Sequence, residues 1–221
     1  MSPIFPVAPR DPVVLVHGLW MNGTDLTLLR RRLRRDHGFE THVFSYPTIY
    51  GRADEISAEL ADFAERIAEG RRVHFVGHSL GGNFVYRALN EHAGRLEGNA
   101  VLLGSPLGGC RAARGVLRYP MLRPIIGPHL LGEVSSPVDR RWEGPGALGV
   151  IAGTRRVGMG QFFAHFDEPN DGTVAVSETV IPGLDDHLEL PHGHMGLLFA
   201  TDVATQVAHF LHHAKFRRAE A

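Results

Sequence analysis

A serine in a Gly-x-Ser-x-Gly turn is the residue of this sequence best suited to chemistry. Ser79 lies between Gly77 and Gly81, after the apolar stretch 73–76 and before an apolar-periodic segment that begins at Leu80. A serine hydroxyl is a weak nucleophile at neutral pH and needs an adjacent base and an exposed position. A sharp strand-to-helix turn exposes the side chain at its tip, and glycine accepts the dihedral angles of such a turn. The pattern therefore predicts that Ser79 is a catalytic nucleophile.

A nucleophilic serine also needs a carboxylate that orients its base. In sheets with this kind of turn, the chain order is serine, then carboxylate, then histidine. Asp171 follows Ser79 in the cluster Asn170-Asp171-Gly172, which is typical of a turn that presents a short acidic side chain. We expect Asp171 to be this acid, and the alternatives are Asp167, Asp185 and Asp186.

The base is expected in the loop before the last helix, where His192 and His194 are separated only by Gly193. We favour His194, because it is nearer the start of the helix and is followed by Gly196. His192 stays open as the alternative. A metal site is a further alternative for His187, His192 and His194 with Asp185 and Asp186, but their spacing matches no structural zinc pattern. We expect neither a metal nor a cofactor.

Two backbone N–H groups are predicted to stabilise an oxyanion. One belongs to Leu80 at the start of a helix, where unpaired N–H groups and the helix dipole favour negative charge. The other belongs to Leu19 in the sequence His17-Gly18-Leu19-Trp20, where Gly18 allows a close approach of the backbone to the substrate. Five residues are expected to contribute to substrate binding: Trp20, His78, Met121, Leu122 and Ile125.

These residues follow strands that alternate with helices. Apolar stretches predict strands at 13–16, 41–46, 72–76, 99–103 and 147–152, and an amphipathic helix is predicted at 53–69. This alternation predicts an α/β fold with a doubly wound, mostly parallel sheet. Ligands bind at the carboxyl ends of the strands in such sheets, where Ser79 lies.

The interval 107–146 interrupts this alternation. It carries five prolines, which permit only short helices, with apolar residues between them. A long insertion over the active face is often a cap, so we expect a single domain of residues 1–221 with a cap or lid at 107–146. The alternative is an ordinary packed connection.

Composition narrows the class of partner. The chain has 221 residues, with 23 Lys and Arg against 24 Asp and Glu, so its charge does not indicate nucleic-acid binding. Apolar runs have the length of strands, which predicts no membrane-spanning segment. Residues 1–12 lack a basic start followed by an apolar core, and Cys110 is the only cysteine. We therefore expect no secretion signal and a cytoplasmic location.

The chain resembles the α/β-hydrolase superfamily, and within it the bacterial lipases and esterases. The resemblance covers nearly the whole chain, and the stretches that carry it are His17-Gly18, Gly77-His78-Ser79-Leu80-Gly81-Gly82, Gly104-Ser105-Pro106, Asn170-Asp171-Gly172-Thr173-Val174 and Pro191-His192-Gly193-His194-Met195-Gly196-Leu197-Leu198. The resemblance implies that Ser79, Asp171 and His194 form a catalytic triad.

The expected function is hydrolysis of carboxylic esters through an acyl-enzyme, with a small-molecule or lipid ester as substrate. An acyltransferase or a thioesterase would use the same three residues, because only the leaving group or the second nucleophile changes. A non-enzymatic binding module on a hydrolase scaffold is the alternative of a different class, since a fold does not by itself establish a function.

Overall fold

A computed structural model describes residues 11–122, 127, 133 and 140–218. Its strands form a six-stranded parallel sheet in the order β2-β1-β3-β4-β5-β6. The strands are β1 (Val13–Val16), β2 (Thr41–Phe44), β3 (His74–His78), β4 (Ala100–Leu103), β5 (Leu148–Gly153) and β6 (Asp186–Leu190). This arrangement confirms the predicted doubly wound α/β sheet.

Helices connect the strands and cover both faces of the sheet. They are α1 (Thr27–Arg35), α2 (Ala53–Ala68), α3 (Leu80–Glu91), α4 (Arg111–Val116), α5 (Gly196–Phe199) and α6 (Thr201–His213). Short 3₁₀ turns occur at Thr24–Leu26, Pro120–Leu122, Met159–Phe162 and Val176–Thr179. No helix in the described part of the chain is long and apolar enough to cross a membrane.

The hydrophobic core has two layers because the sheet is buried on both faces. All four residues of β1 are fully buried, as expected for a central parallel strand. On one face the sheet packs against α2 and α3, and on the other against α1 and α6. The predicted helix at 53–69 corresponds to α2, with Ile56 and Leu60 facing the core.

β6 was not predicted from the sequence. Its residues, Asp186-His187-Leu188-Glu189-Leu190, alternate between polar and apolar, and four of the five are half-buried while Glu189 is exposed. The strand lies at the edge of the sheet, beside β5 only. An edge position tolerates polar side chains, so the apolar runs that identified the central strands are missing here.

Candidate active site

Ser79 occupies the tight turn between β3 and α3. Its backbone has φ 52° and ψ −125°, which is unfavourable for a residue with a side chain and costs about 1–3 kcal/mol. Surrounding structure must therefore hold the turn in place. The Ser79 side chain lines a cavity above the carboxyl ends of the strands.

Two glycines allow this turn because neighbouring backbone comes too close for any side chain. A Cβ atom on Gly77 would lie 2.4 Å from Cα of Gly82, and one on Gly81 would lie 2.3 Å from the carbonyl oxygen of His17. Real Cβ contacts are longer than this. Gly77 and Gly81, which flank Ser79 in the sequence, are thus required by the packing of α3 against β3 and against the end of β1.

Asp171 and His194 form a buried pair beside Ser79. Nδ1 of His194 lies 2.6 Å from Oδ2 of Asp171, and the two side chains are 9% and 1% exposed. The other carboxylate oxygen, Oδ1, accepts the N–H groups of Thr173 and Val174 at 2.9 and 2.8 Å. Asp171 is therefore fixed by its own turn and accepts a hydrogen bond from Nδ1–H of His194, a tautomer in which Nε2 carries no proton.

Gly104, at the end of β4, leaves room for this pair. Its φ is +55°, and a Cβ atom there would lie 2.8 Å from Oδ2 of Asp171 and 3.2 Å from Nδ1 of His194. Any other residue would push against both members of the pair. No chemical role was expected for Gly104, although the stretch Gly104-Ser105-Pro106 was among those that carry the family resemblance.

His192 has a different partner. Its Nε2 lies 2.9 Å from both carboxylate oxygens of Asp202 on α6. Asp167 pairs with His165 at 3.0 Å on the surface, while Asp185 accepts the N–H of Leu148. The structure thus brings the favoured acid and base together and places the alternatives elsewhere.

Asp186, the last alternative acid, accepts hydrogen bonds from Arg218 at the far end of the sheet. His187 on β6 contacts Oγ1 of Thr179 at 2.9 Å. Within the residues that the structure describes, no three histidine, cysteine or acidic side chains are placed to hold a metal ion together.

The loop after β1 is organised by His17. Nδ1 of His17 donates to the carbonyl of Gly18 at 3.0 Å, and Nε2 accepts the N–H of Tyr46 at 3.4 Å. The two rings stack with centroids 4.5 Å apart, and burial lowers the pKa of His17 so that it stays neutral. Because a peptide unit is planar, fixing the carbonyl of Gly18 also fixes the direction of the Leu19 N–H.

The backbone of this loop runs close to the nucleophile. A Cβ atom on Gly18 would lie 3.1 Å from Cβ of Ser79. Leu19 and Leu80 both line the same cavity as Ser79 and His194. Leu80 is the first residue of α3, and the first N–H groups of a helix lack an intrahelical partner. Both residues predicted to supply N–H donors therefore line this cavity.

The cavity has a volume of about 640 Å³ and mostly apolar walls, within the range of small-molecule sites. Helix α4 provides one wall through Ala112, Ala113 and Val116. The segment after β5 provides another through Val157, Met159 and Phe163. This second wall was missed in the sequence, because residues 154–175 contain little regular structure and no motif beyond the Asp171 turn.

The residues expected to bind substrate lie in different places, and only some of them line the cavity. Trp20 lines the cavity and is 48% exposed at its mouth. His78 is fully buried and contacts the backbone of His194 instead of the cavity, which corrects the prediction that it binds substrate. Met121 is 88% exposed and is not in the cavity wall. The Leu122 side chain and Ile125 lie outside the described residues.

The thiol of Cys110 is another potential nucleophile in the cavity wall. Burial, reinforced by the nearby carboxylate of Glu178, raises the pKa of its thiol to about 12. The thiolate is the nucleophilic form of cysteine. Cys110 therefore stays protonated at neutral pH.

Comparisons with known proteins agree with the fold. A model of the alpha/beta hydrolase family matches residues 13–217, and no curated protein sequence matches significantly. Among solved structures, the mature lipase BlEst2 of Bacillus licheniformis is similar, with 19% identity, a TM-score of 0.73, and coverage of 88% of this chain and 89% of the lipase.

Two further solved structures share the fold. A metagenomic carboxyl esterase has 18% identity and a TM-score of 0.70, over 95% of this chain and 77% of the esterase. Phospholipase PlaB of Legionella pneumophila has 14% identity and a TM-score of 0.66, over 91% of this chain and 55% of the phospholipase. At these identities the likeness is one of fold.

Proposed function

Because the chain belongs to the alpha/beta hydrolase family, we propose that it is a serine hydrolase that cleaves carboxylic esters with an apolar acyl group. The observation that carries this proposal is the buried His194–Asp171 pair, whose Nδ1–Oδ2 distance is 2.6 Å, because His194 lines the same cavity as the strained Ser79. A base that is oriented by a carboxylate activates a serine hydroxyl.

The reaction begins when Nε2 of His194 takes the proton of the Ser79 hydroxyl and Oγ attacks the ester carbonyl. The N–H groups of Leu19 and Leu80 bind the oxyanion of the tetrahedral intermediate. His194 then gives its proton to the leaving alcohol, and the acyl group remains on Ser79. Water attacks the acyl-enzyme with His194 again as the base, which releases the acid and restores the serine.

The choice of ester substrate rests on the cavity wall. Of the twenty residues that line the cavity, the polar side chains are those of Ser79, Gln161, Thr173 and His194, with the thiol of Cys110. An apolar wall favours an alkyl chain over a charged or strongly polar group. We further propose that α4 is part of the cap at 107–146 and that the cap holds the acyl chain.

A chain-length series of p-nitrophenyl esters tests this proposal. Burial of a methylene is worth about 0.8 kcal/mol, so kcat/KM should rise by up to about fourfold per added methylene until the cavity is full. Acetate, butyrate and octanoate esters would be compared with matched thioesters. Absence of turnover on every ester would contradict the proposal, and a strong preference for the thioesters would move the activity to a thioesterase.

A further inference from the structure

His78 is a buried polar residue that no step of the reaction uses. It is the last residue of β3 and precedes Ser79 directly, and its side chain is fully buried. Nε2 of His78 lies 3.1 Å from the main-chain oxygen of His194. Because a carbonyl oxygen only accepts hydrogen bonds, this nitrogen must carry the proton.

His78 is held in its neutral form. Burial, reinforced by the neighbouring ring of His194, lowers the pKa of His78 to about 3. The other ionisable groups that act on it are Asp171 and His17. With the proton on Nε2, the opposite nitrogen, Nδ1, is unprotonated, and it has no hydrogen-bond partner among the residues described. A uniquely protonated ring therefore makes one directed hydrogen bond, to His194.

The position of His78 connects three parts of the site. Its ring centroid lies 4.8 Å from that of His194. Its Nδ1 faces the loop after β1, since a Cβ atom on Gly18 would lie 3.2 Å away. Along the chain it is bonded to Ser79. The ring thus touches the loop of the base and the loop of the proposed oxyanion donor.

Other hydrogen bonds of His194 lead away from the nucleophile. Its N–H donates to the main-chain oxygens of Asp171 at 2.9 Å and Val157 at 3.3 Å. Its Nδ1 pairs with the Asp171 side chain. These contacts fix the base relative to the acid and the cavity wall. Among the described residues, only the bond from His78 joins the backbone of His194 to the strand that leads into Ser79.

We propose that His78 is a positioning residue that sets the distance between the base and the nucleophile. The proposal rests on the roles proposed for Ser79 and His194. A shift of about 1 Å between reacting groups costs up to about 100-fold in rate, so a single directed bond at this point has a kinetic effect. A merely structural histidine would affect folding and leave the rate of the folded enzyme unchanged.

Three substitutions separate these roles. His78→Gln keeps an N–H donor at the same distance along the side chain. His78→Asn carries the donor on a shorter side chain that does not reach the main-chain oxygen of His194. His78→Phe removes the donor. We expect kcat to fall by about 10- to 100-fold in His78→Phe and His78→Asn, with KM changed by less than about twofold. His78→Gln should recover most of the rate.

His74 provides the matched control on the same strand. It is also buried, and its Nδ1 accepts the N–H of Asn99 at 2.9 Å, but it lies at the opposite end of β3 from Ser79. His74→Phe should lower the melting temperature and leave kcat unchanged. If His78→Phe does not fold, the comparison of His78→Gln with His78→Asn decides the question.

The rate at which a small fluorophosphonate labels Ser79 is the second readout, and it should fall in parallel with kcat. Equal kcat and labelling rates in wild type, His78→Gln and His78→Asn would overturn the positioning role while leaving Ser79 as nucleophile. No labelling of Ser79 in the wild-type protein would instead overturn the proposed function itself, so the two failures are distinguishable.

Discussion

Ser79 has a strained backbone conformation that the surrounding residues must stabilise. Its positive φ is held by contacts that exclude side chains at Gly77 and Gly81. The unfavourable backbone places the hydroxyl in the cavity that His194 also lines. Strain of this kind is commonly found at functional sites, which agrees with the role proposed for Ser79.

The identity of the base leads to the first prediction. His194→Ala should lower kcat by a factor of about 10⁴ or more, because the Ser79 proton then has no acceptor. His192→Ala removes a contact with Asp202 on the surface and should keep most of the activity. Turnover of one short ester by both variants, each checked for folding by circular dichroism, decides between them. The opposite ranking would move the base to His192.

Residue patterns point to a candidate site where the proposed chemistry demands particular residue types at particular places in the chain. Ser79, Asp171 and His194 were all identified from motif and chain order, and the structure brings them to one cavity or one buried pair. His78 was misplaced, because the residue before the serine ends a strand and its side chain lies beneath the loop of His194. Sequence spacing does not reveal which loop covers a given strand end.

Helix α4 is attached to the loop of Asp171 through ionic contacts. Glu178 accepts hydrogen bonds from the backbone N–H and the side chain of Arg111 at the start of α4, at 2.6 and 3.0 Å. The same carboxylate accepts the N–H of Ala175 at 2.9 Å. These contacts hold α4 against the segment that carries Asp171. The position of the cavity wall relative to Asp171 is therefore fixed.

This arrangement leads to a prediction about chain length. Ala113 on α4 lines the cavity, and Ala113→Leu should fill part of it. We expect kcat/KM for the octanoate ester to fall by about fourfold for each methylene that no longer fits, while the acetate ester is unaffected. Arg114→Leu, on the neighbouring exposed position, is the control and should leave the profile unchanged. An equal loss on both esters in Ala113→Leu would contradict an acyl-binding wall.

The wall could be predicted only in outline. Prolines indicated a long insertion at 107–146, but the apolar residues singled out there were Met121, Leu122 and Ile125, whereas the described wall is built by the small residues Ala112 and Ala113. Small side chains leave space for a ligand, but they do not stand out in the sequence as a hydrophobic pattern. The wall from 157–163 was missed for a related reason, since irregular segments follow no period.

Several histidines of the molecule are buried or half-buried, and stability should therefore depend on pH. Burial lowers the pKa of His17, His74, His78 and His187. In the unfolded chain a histidine titrates near its ordinary pKa of about 6.5. Below that pH the unfolded state binds protons that the folded state does not, so the free energy of unfolding falls as pH decreases from about 6.5 towards the lowered values.

Urea unfolding at several pH values between about 7.5 and 5 measures this effect, in a range where carboxylates stay ionised. Each histidine that remains neutral contributes a slope of up to about 1.4 kcal/mol per pH unit below its unfolded pKa. His78→Gln removes one such group and should give a shallower dependence. A free energy of unfolding that stays constant over this range would contradict the neutral state of these buried rings.

At the same scale, the sequence predicted the parallel sheet because its central strands are continuous apolar runs, as in β1 and β4. It did not predict β6, whose polar residues are accommodated at the sheet edge. The central strands of the fold can thus be predicted from the sequence because both of their faces are buried. Its edges depend on tertiary packing that a local pattern does not contain.

Covalent labelling tests the central claim most directly. The protein would be treated with a fluorophosphonate, and the modified residue would be identified by mass spectrometry in wild type, Ser79→Ala and Ser105→Ala. Ser105 is the control, because it is fully buried close beneath Gly82. We expect a single phosphonate on Ser79 in wild type and Ser105→Ala, and no label in Ser79→Ala. A label on another residue, or one that persists in Ser79→Ala, would contradict it.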